Sequence, residues 1–293
     1  MKRFSLYTLL TISMLIVNIG LSAASFNGAD LKDNRVVYTA QDSVIFQKYV
    51  AYMADKRELP LNETIIATAK FFLGTPYVAN TLEKEPESLV VNLRELDCTT
   101  FVETVFALSR TIKLDAPTFD NFCNNLRTIR YRGGVIEDYT SRLHYSTDWI
   151  YDNEQRGIMK DVTRAAGARR LKLDLYIMSK TPDTYKQLKG RPELTEKIKA
   201  KEREISARKH YYIKSRKIDR KSKRIEDGCM VGFVTTIPGI DLSHMAIVYH
   251  VDGKLTFIHA SSSLKKVCIN ESTMGQFVKG SKRNTGIVLA KLQ

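Results

Sequence analysis

The 293-residue chain contains no internal repeat and no low-complexity tract, which excludes repeat architectures and fibrous proteins. It also contains no Cys-x-x-Cys pair, no His-Glu-x-x-His segment and no other close-spaced pair of metal ligands. Beyond the first 24 residues, no apolar run approaches the roughly 20 residues that a membrane span needs. Hydrophobic residues make up 43% of the chain, which is ordinary for a globular core. We therefore expect a globular protein, with no bound metal and no cofactor.

The N-terminus has the layout of an export signal. Lys2 and Arg3 precede an apolar run from Leu6 to Leu21, and the small residues Ser22-Ala23-Ala24 follow as a cleavage site. The pattern predicts a signal peptide over residues 1–24 and export to the periplasm. An uncleaved membrane anchor is the alternative, but three polar residues interrupt the run and leave it short of a span.

Four cysteines are available in a compartment where disulfides can form: Cys98, Cys123, Cys229 and Cys268. One interpretation is two structural bridges. The other leaves Cys98 free as a nucleophile, with at most one bridge among the other three. The position of Cys98 between an Asp and two Thr, at the start of a predicted helix, favours the second interpretation.

The formal charge of +14 belongs to one segment. Residues 164–224 hold 21 Lys and Arg against 7 Asp and Glu, a balance of +14, so the rest of the chain is neutral. Such a run is usually a solvated helical face. In an exported protein we expect it to contact anionic lipid or an acidic wall polymer rather than nucleic acid. We also expect a monomer.

Helical periodicity dominates the first part of the mature chain, and short strands dominate the end. Apolar spacing predicts helices over residues 43–56, from Pro60 (with Asn62 as N-cap) to Gly74, from Asp97 to Arg110, and over 116–130. Further along, the pattern predicts a strand over 171–178 and a charged helix over 183–207. From Gly228 it predicts strands over 229–236, 244–251, 254–262, 266–270 and 286–291, with a short helix over 272–278. This order predicts an α+β fold in a single domain over residues 25–293, with an insert at 131–227.

Cys98 is the candidate nucleophile. A thiolate attacks more readily than a thiol, and a helix N-terminus or a neighbouring imidazole lowers the pKa of a cysteine. Asp97 is placed to cap the helix, and the free N–H groups of its first turn could stabilise an oxyanion. We therefore expect Cys98 to have a lowered pKa. A structural cysteine on a buried helical turn is the alternative.

Two histidines are candidates for the base and for its orienting partner. Asp252-Gly253 predicts a two-residue hairpin turn, so Val251 pairs with Lys254 across the two strands. The residue numbers of each such pair add to 505, and Ala246 therefore faces His259. His244 shares a strand face with Ala246, so His259 lies one diagonal step from His244, roughly 7–8 Å away at the backbone. A metal site formed by these two histidines and Cys98 is a minor alternative.

These residues resemble the NlpC-type cell-wall cysteine hydrolases, whose papain-like fold packs the nucleophile helix on an antiparallel sheet. The matching elements are Gly74-Thr75-Pro76-Tyr77, Asp97-Cys98-Thr99-Thr100-Phe101, His244-Met245-Ala246-Ile247-Val248 and Phe257-Ile258-His259-Ala260-Ser261. The resemblance implies that Cys98 is the nucleophile, His244 the base and His259 the orienting residue. It also implies that the Tyr77 hydroxyl lies near the nucleophile.

Two features depart from that pattern: Thr100 stands where a Gly is usual, and some 145 residues separate Cys98 from His244. In both features the chain resembles one branch of these hydrolases, the N-acetylmuramoyl-L-alanine amidase-like proteins. For that branch the resemblance implies hydrolysis of the amide between muramic acid and L-alanine in small muropeptides, particularly those with anhydro-muramic acid. The residues alone indicate only amide hydrolysis.

The insert supplies candidate substrate contacts. Trp149 could stack on a sugar face, and Arg142 or Arg132 could bind a peptide carboxylate. His144 and Tyr145 are further candidates in the same segment. For Trp149 and His144, packing in the core is the alternative. A cleft walled by this segment would admit soluble fragments and exclude intact cell wall.

Other functions remain open at this stage. Cleavage between D-glutamate and the diamino acid is the alternative within the same fold. A non-catalytic envelope-binding protein, with Cys98 in a disulfide, is the alternative from a different class. Lipid acyl transfer is a third.

Overall fold

The structure is a computed structural model that describes residues 36–293. The predicted signal peptide, residues 1–24, lies outside the described residues. Within the described range, the α-helices are α1 (Ala40–Tyr52), α2 (Leu61–Phe71), α3 (Cys98–Ile112), α4 (Phe119–Arg130), α5 (Ser146–Gln155), α6 (Ile177–Lys180), α7 (Pro192–Ala207) and α8 (Met274–Gly280). None of these helices has both the length and the apolar character that a membrane span requires.

The strands form one large antiparallel sheet and one small parallel pair. They are β1 (Val36–Val37), β2 (Leu89–Val90), β3 (Met159–Asp161), β4 (Arg169–Leu171), β5 (His210–Lys214), β6 (Met230–Thr235), β7 (Leu242–Val251), β8 (Lys254–Ser261), β9 (Lys266–Ile269) and β10 (Asn284–Leu292). The large sheet has the order β4-β5-β10-β6-β7-β8-β9, and β3 also pairs with β10. β1 and β2 form the parallel pair.

Helix α3, which begins at Cys98, lies at the centre of the molecule. It contacts α2 and α4 on one side and strands β7 and β8 on the other, and most of its side chains are buried. Its apolar residues explain this position, because they cover more than one face of the helix: Phe101, Val105 and Leu108 lie on one face and Val102 and Phe106 on the next, and all are fully buried. The mixed helical and antiparallel architecture confirms the predicted α+β class.

Strand β7 and strand β8 form the predicted hairpin. Val251 pairs with Lys254, and the pairs along the ladder sum to 505 as expected. Asp252 and Gly253 both have positive φ, 49° and 76°, as a type I′ turn requires. Because the register of a hairpin fixes which side chains share a face, this turn determines where His244 and His259 lie.

Three local predictions were wrong. Residues 171–178 form β4 only at Leu171, and helix α6 begins at Ile177. The long charged helix begins at Pro192 rather than at residue 183, with Pro at the first helical position. Helix α2 has Pro60, not Asn62, as its N-cap. A helix, α5, also runs through the segment after residue 131, where the sequence showed little periodicity.

The insert at residues 131–227 contains the basic segment 164–224, and we call it the basic insert. It is integrated into the fold. Its strands β4 and β5 extend the large sheet beyond β10. Its helix α7 packs against α6, and a small apolar cluster of its own includes Leu173, Leu188 and Ile198. The insert is therefore in a position to contribute walls to a site formed by the rest of the chain.

Candidate active site

Cys98 is the first residue of α3, and Asp97 is its N-cap. The Asp97 carboxylate accepts hydrogen bonds from the Thr100 N–H at 2.8 Å and from the Thr100 hydroxyl at 2.9 Å. In return, the Thr100 hydroxyl accepts from the Asp97 N–H at 2.9 Å. This reciprocal capping accounts for a Thr at the position where the NlpC-type pattern has Gly, because its hydroxyl closes the cap.

The Cys98 thiol is held against strand β7. Backbone hydrogen bonds with Met245 and Thr99 reach the thiol, and the Thr99 hydroxyl donates to the Met245 sulfur at 3.9 Å. Burial nevertheless raises the pKa of the Cys98 thiol to about 11, and the neighbouring Asp97 adds to the rise. The expected lowering of this pKa was wrong, because desolvation of a thiolate outweighs the helix N-terminus.

His244 and His259 form a hydrogen-bonded pair. His244 Nε2 and His259 Nδ1 lie 2.8 Å apart, and the two rings are nearly perpendicular at 80°. Burial lowers the pKa of His244 to about 3, with a further contribution from His259. Burial also lowers the pKa of His259 to about 4. Both rings are therefore neutral at pH 7, and the bond to His259 leaves His244 Nδ1 for another partner.

Cys98 and His244 line one cavity of about 260 Å³. The predicted residues His144 and Tyr145 line it as well. Its other walls come from the loop before β7 and from the insert. The complete lining is Cys98, Thr99, His144, Tyr145, Ser146, Ile177, Met178, Tyr185, Ile240, Asp241, Leu242, Ser243, His244 and Met245. The cavity therefore brings together the candidate nucleophile, the candidate base and part of the insert.

Several of these wall residues could not be predicted from sequence patterns. Ile177, Met178 and Tyr185 lie in the insert, far from Cys98 along the chain. Asp241 comes just before β7, where its carboxylate accepts from the Thr147 N–H at 2.7 Å and from the Leu242 N–H at 2.7 Å. Its position at the start of a strand that carries a candidate base is the one local signal that could have pointed to it.

Trp149 does not face the cavity. It is 1% exposed and stacks on Phe106 with ring centroids 6.2 Å apart. The prediction that it stacks on a sugar was wrong, because α5 turns its large apolar side chains into the core. The alternative considered from the sequence, a core anchor, is the role that it has.

Arg142 and Arg132 are engaged by carboxylates of the protein. Arg142 is buried and pairs with Glu87 at 2.8 Å and with Glu83 at 2.9 Å. Arg132 pairs with the buried Asp148 at 2.5 Å. Neither arginine lines the cavity that contains Cys98. The prediction that Arg142 binds a peptide carboxylate was wrong, whereas for Arg132, whose side chain is 26% exposed, it stays a prediction. A buried guanidinium needs its partners to offset desolvation, which leaves little for a ligand.

His144 and Tyr145 line the cavity, and each also forms a hydrogen bond to another residue of the protein. His144 Nε2 lies 2.7 Å from the Tyr139 carbonyl, and since a carbonyl only accepts, this nitrogen carries the proton. Burial and the nearby Arg142 lower the pKa of His144 to about 3. The Tyr145 hydroxyl donates to the Glu202 carboxylate at 2.6 Å. Helix α7, which carries Glu202, thereby fixes one wall of the cavity.

Tyr77 lies near Cys98 without lining the cavity. Its N–H donates to the Lys265 carbonyl at 2.9 Å, and it forms a parallel bridge with Leu96, two residues before Cys98. Burial raises the pKa of Tyr77, and Cys98 and Asp97 contribute to the rise, which places its phenol within electrostatic range of both.

All four cysteines are free. The interpretation as two structural bridges was therefore wrong, and so was the premise of the non-catalytic alternative, which needed Cys98 in a disulfide. Within residues 36–293, no group of three or more His, Cys, Asp or Glu side chains is arranged to hold a metal ion.

Comparisons with known proteins show which family and which solved structures this chain resembles. The family model described as AmiA-like, N-acetylmuramoyl-L-alanine amidase-like, matches residues 67–287. A crystal structure of an N-acetylmuramoyl-L-alanine amidase from Bacteroides uniformis is 37% identical, with a TM-score of 0.77, over 80% of this chain and 99% of that one. A Bacteroides fragilis protein that carries the provisional name of a xylanase is 36% identical, with a TM-score of 0.73, over 77% of this chain and 99% of that one.

A protein from Legionella pneumophila shares the fold at 20% identity, with a TM-score of 0.65, over 86% of this chain and 94% of that one. No curated protein matches the chain.

Proposed function

Since the chain belongs to the AmiA-like family of N-acetylmuramoyl-L-alanine amidase-like proteins, we propose that it is a cysteine amidase of peptidoglycan fragments. Cys98 is the nucleophile, His244 the base and His259 the residue that orients it. The scissile bond is the amide between N-acetylmuramic acid and L-alanine. One observation carries this proposal: the thiol at the N-terminus of α3 and a histidine bonded to a second histidine line the same cavity.

The resting pair is a neutral thiol and a neutral imidazole, given the raised pKa of Cys98 and the lowered pKa of His244. His244 can accept the thiol proton only on Nδ1, so its Nε2 carries a proton and donates to His259 Nδ1. Attack on the lactyl carbonyl then moves the proton from Cys98 to His244. His259 accepts throughout, and its bond strengthens when His244 becomes charged.

Groups beside Cys98 stabilise the oxyanion and protonate the leaving amine. The N–H groups of Cys98 and Thr99 belong to the first turn of α3, where no earlier carbonyl of the helix can accept them. They, with the nearby Tyr77 hydroxyl, would stabilise the oxyanion. His244 then protonates the departing amine of L-alanine, and water activated by the same histidine releases the sugar acid from Cys98.

The substrate is a soluble fragment of peptidoglycan. The favoured sugar is anhydro-muramic acid, because the chain resembles the amidase-like branch for which that sugar is expected. Small-molecule sites commonly enclose roughly 300–1,000 Å³. A cavity of about 260 Å³ is suited to the lactyl group and the first residues of one stem peptide. Walls contributed by Ile177, Met178 and Tyr185 of the insert would exclude cross-linked wall. Equal rates on whole sacculi and on short muropeptides would contradict this selectivity.

The provisional xylanase name of one neighbour does not suit this cavity. Glycoside hydrolysis uses two carboxyl groups roughly 5–9.5 Å apart on either side of the bond. Among the residues that line the cavity, Asp241 is the one carboxylate, and Thr147 and Leu242 occupy its oxygens. A thiol and an imidazole suit acyl transfer instead.

We further propose that the fold is of the papain-like NlpC type and that the protein is exported. The packing of α3 on β7 and β8 supports the first proposal. The layout of residues 1–24 supports the second. N-terminal sequencing of protein recovered from the periplasmic fraction of expressing cells tests export and cleavage, and a mature terminus near Ser25 is expected. A terminus still at Met1 would contradict cleavage, and absence of the protein from that fraction would contradict export.

Digestion of a defined disaccharide-tetrapeptide, read by mass spectrometry, tests the function. An amidase releases free disaccharide and an intact peptide that starts with L-alanine. The alternative endopeptidase leaves L-Ala-D-Glu on the sugar. Cys98→Ala is expected to be folded and inactive. Cys123→Ala is the matched control, because it removes a buried free thiol outside the cavity, and it is expected to remain active.

A further inference from the structure

A second cavity, of about 270 Å³, lies in the insert and is lined by Lys217, Arg220, Lys221 and Arg224. None of these residues lines the cavity that contains Cys98. The segment consists of tight 3-10 turns over Ser215–Lys217 and Asp219–Arg224. In such turns residues three apart share a side, which places Lys217 with Arg220 and Lys221 with Arg224. The sequence alone predicted a solvated basic face that contacts anionic lipid or an acidic wall polymer, without a defined binding site.

The opposite side of this segment is fixed to the sheet. Ile218 and Ile225 are buried, at 0% and 3% exposure. The Ser222 hydroxyl lies 3.2 Å from His250 Nε2, and His250 Nδ1 lies 2.5 Å from the Asp227 carboxylate. The chain of contacts from Ser222 to Asp227 holds the turns in one orientation. The four cations are thus preorganised on the outer side.

The carboxylates nearest in sequence are engaged elsewhere. Asp219 pairs with Lys279 at 3.3 Å, Glu226 with Lys291 at 2.5 Å, and Asp227 with His250. In the described part of the chain, none of the four cations of this cavity forms an ion pair. Like charges at this density repel one another, so a bound anion would stabilise the segment.

Gly167 makes room for one of these cations. A Cβ built at Gly167 would lie 2.1 Å from Lys221 Nζ, and the φ of +85° at this glycine disfavours any side chain. The turn at Gly167 thus lets the Lys221 ammonium lie directly over the backbone. The backbone at Gly167 therefore helps to fix the position of Lys221, one of the four residues that line the cavity.

We propose that this cavity binds an oxyanion of the phosphate class, either a lipid headgroup phosphate or a soluble phosphate ester. Guanidinium groups bind phosphate oxygens bidentately, and lysines add point charges to the same group. The two arginines and two lysines here supply both kinds of contact. The lining contains no aromatic side chain on which a nucleic-acid base could stack, so single-stranded nucleic acid is disfavoured. The proposal does not depend on the amidase assignment.

Calorimetric titration of the full-length protein with inorganic phosphate, at constant ionic strength set by chloride, tests soluble binding. Flotation with phosphatidylcholine vesicles that contain phosphatidic acid tests lipid binding. Vesicles that carry oleate instead supply negative charge without phosphate. Saturable binding in either phosphate arm supports the proposal and identifies the source. Binding in neither arm, or equal binding to oleate vesicles, would overturn it.

Arg220→Gln combined with Arg224→Gln is expected to weaken the observed binding by about tenfold or more, since each removes a charge-assisted contact. Lys189→Gln with Arg203→Gln is the matched control, because it removes two charges from exposed side chains of the same insert outside the cavity. Equal weakening in both pairs would show a diffuse charge effect and refute the site. If the arginine pair does not fold, Lys217→Gln with Lys221→Gln provides the same comparison.

Discussion

The bond between His244 and His259 offers the most detailed prediction. In the proposed mechanism, His259 Nδ1 accepts from His244 Nε2, and the two atoms lie 2.8 Å apart. Replacing His259 by Leu removes the acceptor but keeps an apolar side chain at a site that is 5% exposed. Replacing it by Asn, which has nearly the same shape as Leu, puts an amide oxygen close to the position of Nδ1.

The size of the effect follows from when the charge forms. His244 is neutral at rest and becomes an imidazolium only as it takes the thiol proton, so the bond is strongest in the transition state. Hydrogen bonds to charged groups contribute about 1.5–3 kcal/mol, against about 0.5–1.5 kcal/mol for neutral pairs. Only the gain over the neutral bond, about 1–1.5 kcal/mol, acts on the barrier, so loss of the acceptor should lower kcat/KM by roughly 5- to 15-fold. The Asn variant should recover most of that loss.

The assay is kcat/KM on a defined muropeptide, with thermal unfolding of each variant to confirm that it is folded. His259→Leu should mainly lower kcat, because the group acts after substrate has bound. Wild-type activity in the Leu variant would refute the role of His259. Equal losses in the Leu and Asn variants would show that His259 acts through packing rather than as an acceptor.

Three further predictions concern pH, the core and a buried ion pair. With the pKa of Cys98 raised to about 11 and that of His244 lowered to about 3, the reactive thiol and imidazole are both neutral between those values. kcat/KM should therefore be flat from about pH 5 to 9, and a bell-shaped profile centred near neutrality would contradict a neutral resting pair. Trp149→Phe should lower the free energy of unfolding by about 1–3 kcal/mol and leave KM within about twofold, whereas a large rise in KM would restore the sugar-stacking hypothesis. Arg130→Met leaves the buried Glu103 carboxylate, 2.7 Å away, without its partner, and urea denaturation should show a loss of about 3–5 kcal/mol; no measurable loss would mean that the carboxylate is neutral in the fold.

Local chemistry made the elements that carry the candidate site predictable. The capping residue Asp97 marked the start of α3, and Asp252-Gly253 fixed the hairpin register that brings His259 beside His244. Each of these signals spans only a few residues, and no distant contact overrides it. The nucleophile and the histidine pair could therefore be proposed from the sequence alone.

Tertiary contacts decided the segments that were mispredicted. Leu171, Leu173 and Leu175 alternate as in a strand, but beyond Leu171 they pack in the apolar cluster of the insert, and the Leu175 N–H donates to the Ser206 hydroxyl. Helix α5 was missed because it buries polar residues as well as apolar ones. Asn153, for example, is 0% exposed and donates to the Ile129 carbonyl, a partner that no periodicity can indicate.

The pKa shift of Cys98 could not be predicted from the sequence either. The cavity around Cys98 is closed by residues from the insert and from the loop before β7, and this closure supplies the desolvation that raises the thiol pKa. Sequence spacing shows the helix N-terminus that would lower the pKa but not the walls that raise it. The carboxylates that pair with Arg142 also come from a distant part of the chain, so this pairing could not be predicted from the sequence.

Trapping the acyl-enzyme tests the proposed chemistry at the reacting atom. Rapid quenching of wild-type protein with a disaccharide-tetrapeptide, followed by intact-mass and peptide-mapping spectrometry, gives both the mass and the position of the adduct. We predict an adduct with the mass of the muramoyl disaccharide alone, attached to Cys98. An adduct that retains L-Ala-D-Glu would identify the endopeptidase reaction, and turnover with no adduct on Cys98 would contradict a cysteine amidase.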